Sequence, residues 1–511
     1  MKDTVMAQLN RSSHCWDAAE AAGKVVVGPP AEYPVRVLQF GEGNFLRAFV
    51  DWMFNRLNAQ GLFNGSVVVV QPIARGMVPV LNEQEGLYTL LLRGLRDGEA
   101  TEERELITAV RRGIDPYADW AGFLDCARLP ELRFIVSNTT EAGIAYVEEP
   151  MPAGACPSSF PAKVAAFLYA RYRHFTGAAK AGMVLLPCEL IDRNGDNLKR
   201  AVLQHAEAWK LEQGFRAWVE AHCRFLNTLV DRIVTGYPAN EAASLCAELG
   251  YEDKLLDTGE LFHLWVIEGD CREELPFAQA GLNVVWTDNL EPYRTRKVRI
   301  LNGAHTMTVL AAYLAGRETV REAVEDPLIG AYMRQGLFRE IIPTLELPEG
   351  EKQSFAEAVL ERFRNPFIRH LLLSIALNSV SKFAVRVLPS LLQYHQRTGE
   401  LPQTLVFSLA ALIAFYRGEP ADGALQGSRD GQPYAIKDDA PVLAEFASAW
   451  TDHAGDIPAL CRRILTRADW WGQDLTVIPG LTELVAADLQ TILDDGVTAA
   501  MCGIVAEEVA G

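Results

Sequence analysis

The chain has 511 residues, 49% of them hydrophobic, and a formal net charge of −18. The length exceeds what one hydrophobic core usually serves and predicts two domains. The acidic balance argues against nucleic acid and anionic membrane surfaces as partners.

The nine cysteines are scattered and show no C-x-x-C spacing, which is typical of reduced thiols. No charged-then-apolar leader opens the chain, and its longest apolar stretch is too short to span a bilayer. We therefore expect a cytoplasmic protein, as a monomer or a small homo-oligomer.

The first predicted elements form a strand, turn, helix and strand. Residues 1–33 read as a polar lead-in, and Val35–Phe40 predicts a strand. Apolar residues at helical spacing predict a helix from 44 to about 58. The valine-rich run Ser66–Val70 predicts a strand buried on both faces, as in a parallel sheet covered by helices.

Strand signals continue at 131–137, 182–187 and 282–286 and then fade, and 418–432 reads as the only clear loop. This pattern predicts the α/β class, with an extended Rossmann-type parallel sheet in residues 1–290 and an all-helical domain in residues 291–511. Helical periodicity marks residues 303–314, 327–342, 353–364, 367–378 and 405–416.

The turn after the first strand carries Gly41 and Gly43, with Leu46 where a dinucleotide fingerprint has its third glycine. Two glycines still permit a tight turn and a close approach to a pyrophosphate at a helix N-terminus. An ordinary strand-to-helix turn is the alternative. At the end of the second strand, Gln71 can bond a ribose hydroxyl but carries no charge for a phosphate, which favours NAD.

A second polar loop follows the strand at 131–137. Such a loop at the carboxyl end of a sheet strand often lines the ligand crevice, although a turn that satisfies its own backbone fits the composition equally well. The predicted cofactor-binding residues are Phe40, Gly41, Gly43, Asn44, Phe45, Gln71, Asn138, Thr139, Thr140 and Glu141.

The motif K-x4-N-x2-H places Lys297, Asn302 and His305 within nine residues. On an α-helix at about 100° per residue, Asn302 lies about 140° and His305 about 80° from Lys297, so the three can share one broad face. A proton carrier beside two oxygen-binding groups suits the interconversion of a carbonyl and an alcohol. A solvated helix surface is the alternative.

Over most of its length the chain resembles the long-chain polyol dehydrogenase family typified by mannitol dehydrogenase. The resemblance implies a dinucleotide-binding N-domain, a helical C-domain, an active site in the cleft between them, and no metal. The segments that carry it are residues 39–49, 137–144, 187–191, 229–238, 297–305 and 362–366.

The resemblance also implies roles for single residues. Lys297 would be the catalytic acid/base, Asn302 and His305 would polarise the carbonyl oxygen, and Asp231 falls where relatives contact substrate. Leu190 stands where polyol-oxidising relatives carry a second oxygen-holding asparagine, which suggests a sugar-acid substrate instead. The candidate cations for the substrate carboxylate are Arg364 and Lys382.

The expected reaction is reversible hydride transfer between NADH and the ketone of a hexuronate, with D-tagaturonate and D-altronate as the expected pair. Fructuronate or a neutral polyol such as mannitol is the alternative substrate. A non-catalytic NAD-binding regulator that retains the fold is the alternative from another class.

Overall fold

The computed structural model describes residues 6–29, 32–140, 142–421 and 424–505. The chain forms two compact units. One takes the chain up to Gly94 together with Ala100–Leu290, and the other takes Leu95–Glu99 together with the chain from Glu291 onward. In the described ranges, no helix has both the length and the apolar character needed to cross a membrane.

The N-terminal part of the chain alternates strands and helices. Its strands are β1 (Ala7–Gln8), β2 (Val26–Val27), β3 (Val35–Phe40), β4 (Ser66–Val70), β5 (Tyr88–Arg96), β6 (Glu99–Ile107), β7 (Val110–Ile114), β8 (Phe134–Ser137), β9 (Val184–Pro187), β10 (Arg224–Phe225), β11 (Thr228–Asp231), β12 (Tyr251–Glu252), β13 (Asp257–Glu260), β14 (Leu264–Glu268) and β15 (Val284–Thr287). Its helices are α1 (Asp17–Ala21), α2 (Asn44–Leu46), α3 (Trp52–Ala59), α4 (Val78–Glu83), α5 (Trp120–Asp125), α6 (Phe160–His174), α7 (Asn194–Ala208), α8 (Gln213–His222) and α9 (Ala242–Leu249).

Six strands form one parallel sheet in the order β7-β4-β3-β8-β9-β10. The valines of β4 show why this sheet is buried on both faces. Val67 and Val69 belong to the core on one side, whereas Val68 and Val70 belong to the core on the other. The prediction of a Rossmann-type parallel sheet is therefore confirmed, since a continuous apolar run is what a doubly covered strand requires.

The strand order reverses between β3 and β8. The chain leaves β3 towards β4 on one side of the sheet and later returns to β8 on the other side. In open α/β sheets, ligands bind at the carboxyl ends of the strands at such a reversal, because the connections diverge there and leave a crevice. Here those ends are Phe40 and Ser137.

The prediction that residues 1–33 form a lead-in is wrong for the described part of that segment. β1 pairs with β12 and β2 pairs with β6. Leu9, Trp16 and Val25 are buried in a small core. The apolar residues of this segment follow neither helical nor strand spacing over any long stretch. They are nevertheless buried, because several short elements each contribute one or two of them to the same core.

The C-terminal unit is mainly helical. Its helices are α10 (Glu291–Arg296), α11 (Gly303–Leu314), α12 (Val320–Glu325), α13 (Pro327–Gln335), α14 (Glu349–Phe363), α15 (Leu372–Ile375), α16 (Ser379–Arg386), α17 (Leu388–Thr398), α18 (Gln403–Phe415), α19 (Ala440–Asp452), α20 (Ile457–Leu465), α21 (Ala468–Trp471), α22 (Leu481–Asp495) and α23 (Val497–Cys502). α18 is the central helix, since every residue from Thr404 to Phe415 is buried, and it packs against α11 and α22.

The unit is not all-helical, and the predicted loop at 418–432 is wrong. β16 (Gly418–Ala421), β17 (Ala424–Arg429) and β18 (Gln432–Ile436) form an antiparallel sheet. Asp430 and Gly431 turn the second hairpin with φ of 51° and 76°. Two positive φ angles match the tight turn that suits the twist of paired strands, and Asp-Gly favours that turn.

The predicted helices at 327–342 and 367–378 also differ from the structure. The first breaks into α13 and a π-helical turn, Gly336–Ile341, and the second shrinks to α15. Pro366 and the extended residue Leu371 (φ −73°, ψ 132°) explain the short α15, because neither continues a helix.

Candidate active site

The glycine turn lies at the strand reversal of the N-terminal unit. Gly41 has a φ of +124°, and a Cβ there would come within 3.1 Å of the Asn138 carbonyl oxygen, so only glycine fits without strain. The Gly41 N–H donates to the carbonyl of Val70, and the Asn138 N–H donates to that of Phe40. The predicted glycine turn and the predicted polar loop are thus neighbours.

Gly43 has a different environment. It is exposed at the start of the continuous helical segment Asn44–Ala59, and a Cβ there would meet no atom within 4 Å. Open space in front of a helix N-terminus is where an anionic group is bound by backbone N–H groups. This arrangement fits the pyrophosphate of a dinucleotide.

The loop after β8 is held by Glu189, which the sequence analysis did not select. One carboxylate oxygen of Glu189 accepts from the Thr139 N–H and hydroxyl, each at 3.0 Å, and the other accepts from the Ser137 hydroxyl at 3.0 Å. The Asn138 amide donates to the Cys188 carbonyl at 2.8 Å. Burial raises the pKa of Glu189, while these donors act in the opposite direction. The loop is therefore fixed in place before any ligand binds.

Not every predicted cofactor residue presents its side chain to a ligand. Phe40 is fully buried against Phe123 and Phe160, and Phe45 stacks on Phe49 with ring centroids 5.0 Å apart. Phe40 can therefore contribute only backbone groups to a ligand, whereas Phe45 is partly exposed. Thr140 is exposed at the end of the loop, and Glu141 lies outside the described residues.

The side chains of Asn44 and Gln71 are also engaged. The Asn44 amide oxygen accepts from the Arg47 guanidinium at 2.6 Å. The Gln71 amide donates to the Ile73 carbonyl at 2.9 Å, which leaves its buried amide oxygen without a partner. Neither residue carries a positive charge, so the end of β4 suits a ribose hydroxyl better than a phosphate. The residues present fit NAD.

Lys297–Asn302 forms a π-helical turn rather than the α-helix that the sequence predicted. The Gly303 N–H donates to the carbonyl of Val298, five residues earlier. With hydrogen bonds of this span, residues five apart lie nearly in line along the helix, and such turns are frequent at functional sites. Lys297 and Asn302 are five apart, so they share a face more closely than α-helical geometry allows.

His305 follows Asn302 by three residues within α11 and therefore lies on the same side of the helix. Its ring packs against Phe363, with centroids 4.1 Å apart, and against His370 at 5.3 Å. Burial lowers the pKa of His305 well below its usual range, and the neighbouring basic side chains of His370, Arg362, Arg386 and Lys382 lower it further. His305 is consequently neutral and can donate one ring N–H to an oxygen.

The two predicted carboxylate-binding cations have different surroundings. Lys382 is partly buried on α16, belongs to the charges that act on His305, and donates from Nζ to the Ile375 carbonyl at 2.8 Å. Arg364 is exposed at the end of α14. The neighbouring Arg362 is buried and acts on His305 instead.

Asp231 and Leu190 belong to the N-terminal unit. Asp231 ends β11 opposite Leu264 of β14 and is buried. Leu190 is 63% exposed, directly after the buried Glu189. A leucine side chain offers no hydrogen-bond donor or acceptor, so this position cannot hold a substrate oxygen.

Two family models match the chain. Residues 35–277 match the mannitol dehydrogenase Rossmann domain, and residues 289–493 match the mannitol dehydrogenase C-terminal domain. Together they cover nearly all of both units.

Proteins named altronate oxidoreductase are close in sequence. The Yersinia enterocolitica protein is 49% identical over 479 residues, which are 93% of this chain and 97% of that protein. The Escherichia coli protein is 48% identical over 479 residues, with the same coverage of 93% and 97%.

Solved structures show the same fold at low identity. A D-sorbitol dehydrogenase superposes with a TM-score of 0.79 at 22% identity, covering 97% of this chain and 100% of the other. The Pseudomonas fluorescens mannitol 2-dehydrogenase, in a ternary complex with NAD and D-mannitol, gives a TM-score of 0.65 at 21% identity, covering 97% and 99%. The family models and the near-complete match at 49% identity show that the chain belongs to the mannitol dehydrogenase family.

Proposed function

We propose that the protein is an NAD-dependent altronate oxidoreductase that interconverts D-tagaturonate and D-altronate. The observation that carries this proposal is the alignment of Lys297 and Asn302 along one face of a π-helical turn, followed by a neutral His305. The relatives at 48% and 49% identity, each named altronate oxidoreductase, support the choice of substrate.

When bound, NADH supplies the hydride that reaches the ketone carbon. The ammonium of Lys297 donates a proton to the ketone oxygen in the reducing direction and takes it back as the free amine in the oxidising direction. The Asn302 amide and the neutral ring of His305 each donate a hydrogen bond to the oxygen as it gains negative charge, which stabilises the transition state more than the ground state.

The charge state of His305 determines which residue can donate the proton. A neutral imidazole with a strongly lowered pKa is a poor proton donor, because its protonated form is scarce at neutral pH. It remains a good hydrogen-bond donor, since one ring nitrogen always carries hydrogen. The proton must therefore come from another group on this face, and Lys297 fits that role.

A substrate panel tests the proposal. Tagaturonate, fructuronate and fructose are offered with NADH, and altronate, mannonate and mannitol with NAD. We expect kcat/KM for tagaturonate and altronate to exceed the other values by at least about tenfold. Turnover of mannitol at a comparable rate would contradict the sugar-acid assignment. Binding of NADH without turnover of any substrate would favour the non-catalytic regulator.

We further propose that the enzyme works in the reducing cytoplasm, as a monomer or a small homo-oligomer. All nine cysteines lie within the described residues and are free, and six of them are buried. Free thiols in this number are typical of a reducing compartment.

A further inference from the structure

A group of basic side chains surrounds His305 in the C-terminal unit. His370 packs edge-on against the His305 ring, with an interplanar angle of 70°. It lies in the connection between α14 and α15, where its carbonyl accepts from the Val320 N–H at 3.0 Å and the next residue, Leu371, bridges to Thr319. The backbone of this connection is thus anchored to α12, which fixes the position of His370.

α16 brings two further cations to the same place. A Cβ on Gly303 would lie 3.2 Å from the backbone oxygen of Arg386, so α16 approaches α11 closely next to Asn302 and His305. Lys382 and Arg386 are one helical turn apart on α16 and therefore lie on the same face. Both charges act on His305 and add to the lowering of its pKa, which burial dominates.

Arg386 differs from the other arginines near His305. It is partly buried, and burial lowers its pKa. Within the part of the chain that the structure describes, its guanidinium has neither a hydrogen bond nor an ion pair. A guanidinium withdrawn from water without an acceptor is costly, and a carboxylate would satisfy it with two parallel hydrogen bonds.

We propose that Arg386, with Lys382 and His370 beside it, binds the carboxylate of the sugar-acid substrate and makes the enzyme select acids over neutral ketoses. The inference rests on the proposed function, because it assigns a recognition site for that substrate. A hexuronate with its ketone next to one end carries its carboxylate at the other end. The substrate would then extend from Asn302 and His305 towards α16.

The geometry also explains why a chain with a net charge of −18 gathers basic residues here. The positive charges of Arg362, Arg386 and Lys382 around His305 repel one another, and an anion bound among them would relieve that repulsion. A neutral polyol cannot supply that anion. The same group of residues would therefore discriminate against mannitol, which has a hydroxymethyl group where the acid has its carboxylate.

The test compares two substrates that differ only at this group. D-Tagaturonate and D-tagatose carry a carboxylate and a hydroxymethyl group, respectively, at the same carbon. For Arg386→Gln, we expect kcat/KM for tagaturonate to fall by roughly 10²-fold or more, as when one partner of a buried charge pair is truncated. The value for tagatose should stay within about threefold of the wild type. Arg386→Lys should be more active than Arg386→Gln but less active than the wild type, because a lysine restores the positive charge without the two parallel hydrogen bonds of a guanidinium.

Three controls make the result decisive. Arg321→Gln removes an exposed arginine of the same unit that pairs with Glu325, and it should leave both substrates unaffected. Thermal unfolding of each variant shows whether it has folded. If tagatose is too slow a substrate to measure, the inhibition constant of D-altronate reports the same contact and should rise by a similar factor in Arg386→Gln.

The outcomes separate the two proposals. An Arg386→Gln enzyme that keeps wild-type kcat/KM for tagaturonate, or that loses activity equally on both substrates, overturns the carboxylate site alone. A selective loss in Arg364→Gln with none in Arg386→Gln overturns it as well and assigns the site to Arg364. A wild-type enzyme that reduces no hexuronate overturns the proposed function and this inference with it.

Discussion

Asn302 follows Lys297 by five residues in a helical turn whose hydrogen bonds also span five residues. Because the separation of the two residues equals the span of the hydrogen bonds in this turn, their side chains lie nearly in line along the helix axis. The sequence motif and the backbone geometry are therefore two descriptions of one arrangement, in which a lysine and an amide lie on the same face of the helix.

Replacing Lys297 tests the proton-transfer role. Lys297→Met keeps the length and the apolar part of the side chain but removes the ammonium. We expect kcat for tagaturonate reduction to fall by about 10²–10⁴-fold, while the Kd of NADH, measured by fluorescence titration, changes little. Lys437→Met, at an exposed lysine of the same unit, serves as the control. A Lys297→Met enzyme that retains most of its turnover would exclude Lys297 as the acid.

His305 provides a prediction about pH. Because burial and four basic neighbours hold its pKa well below the usual value, His305 does not titrate near neutral pH. In His305→Gln we expect kcat to fall by about 10²–10³-fold, as for loss of one oxygen-binding donor. The apparent pKa values that define the acidic and basic limbs of the pH profile of kcat/KM should be the same as in the wild type. Loss of a limb in His305→Gln, but not in the exposed control His174→Gln, would show that His305 carries the proton.

Gly43 separates cofactor binding from folding. A methyl group at Gly43 meets no protein atom within 4 Å, so Gly43→Ala should unfold at the wild-type temperature. The same methyl group occupies the space in front of the helix N-terminus, and we expect the Kd of NADH to rise by about tenfold or more. Gly350→Ala, where the added Cβ is also free of contacts, should bind NADH normally. Unchanged affinity in Gly43→Ala would place the pyrophosphate elsewhere.

Asp51 gives a prediction about stability. It accepts hydrogen bonds from Gln39 and Tyr88 beneath the glycine turn, and burial raises its pKa from 3.8 to about 7. Between these values the folded protein keeps a proton that the unfolded chain releases. The free energy of unfolding therefore falls as pH rises through this window, by up to about 1.4 kcal/mol per pH unit.

Asp51→Asn removes this titration. Relative to the wild type, the variant should gain stability as pH rises from about 4 to about 7, and the difference should then remain constant. Urea unfolding at several pH values measures it, and Asp17→Asn, at an exposed carboxylate, is the control. Parallel stability curves for the wild type and Asp51→Asn across this window would be incompatible with a buried, protonated Asp51.

The sequence predicted the parallel sheet well because its strands carry a strong local signal. β3 and β4 begin and end where the pattern placed them, since a strand buried on both faces must be apolar throughout. The missed strands β5 and β6 and the missed sheet β16–β18 lack that signal. Their Asp97-Gly98 and Asp430-Gly431 turns, each with two positive φ angles, were the available clue to both hairpins.

The candidate site was predictable in part. Spacing and resemblance selected Lys297, Asn302 and His305, but the assumption of α-helical geometry gave the wrong angle between the first two. Glu189, His370 and Arg386 were not selected because their positions depend on contacts with residues distant in the chain. Glu189 acts through a loop about 50 residues earlier, which no local periodicity reveals.

The widened turn at Lys297–Asn302 also links the spacing of the motif to the winding of the helix. A π-turn holds one residue more than the α-helical turn it replaces. Loss of one of the four residues between Lys297 and Asn302 would rewind the turn to an α-helix, in which side chains four residues apart still lie only about 40° apart. The spacing of the motif and the type of turn are therefore coupled: a spacing of five residues requires the π-turn to keep the two side chains on one face, and a spacing of four requires the α-helix.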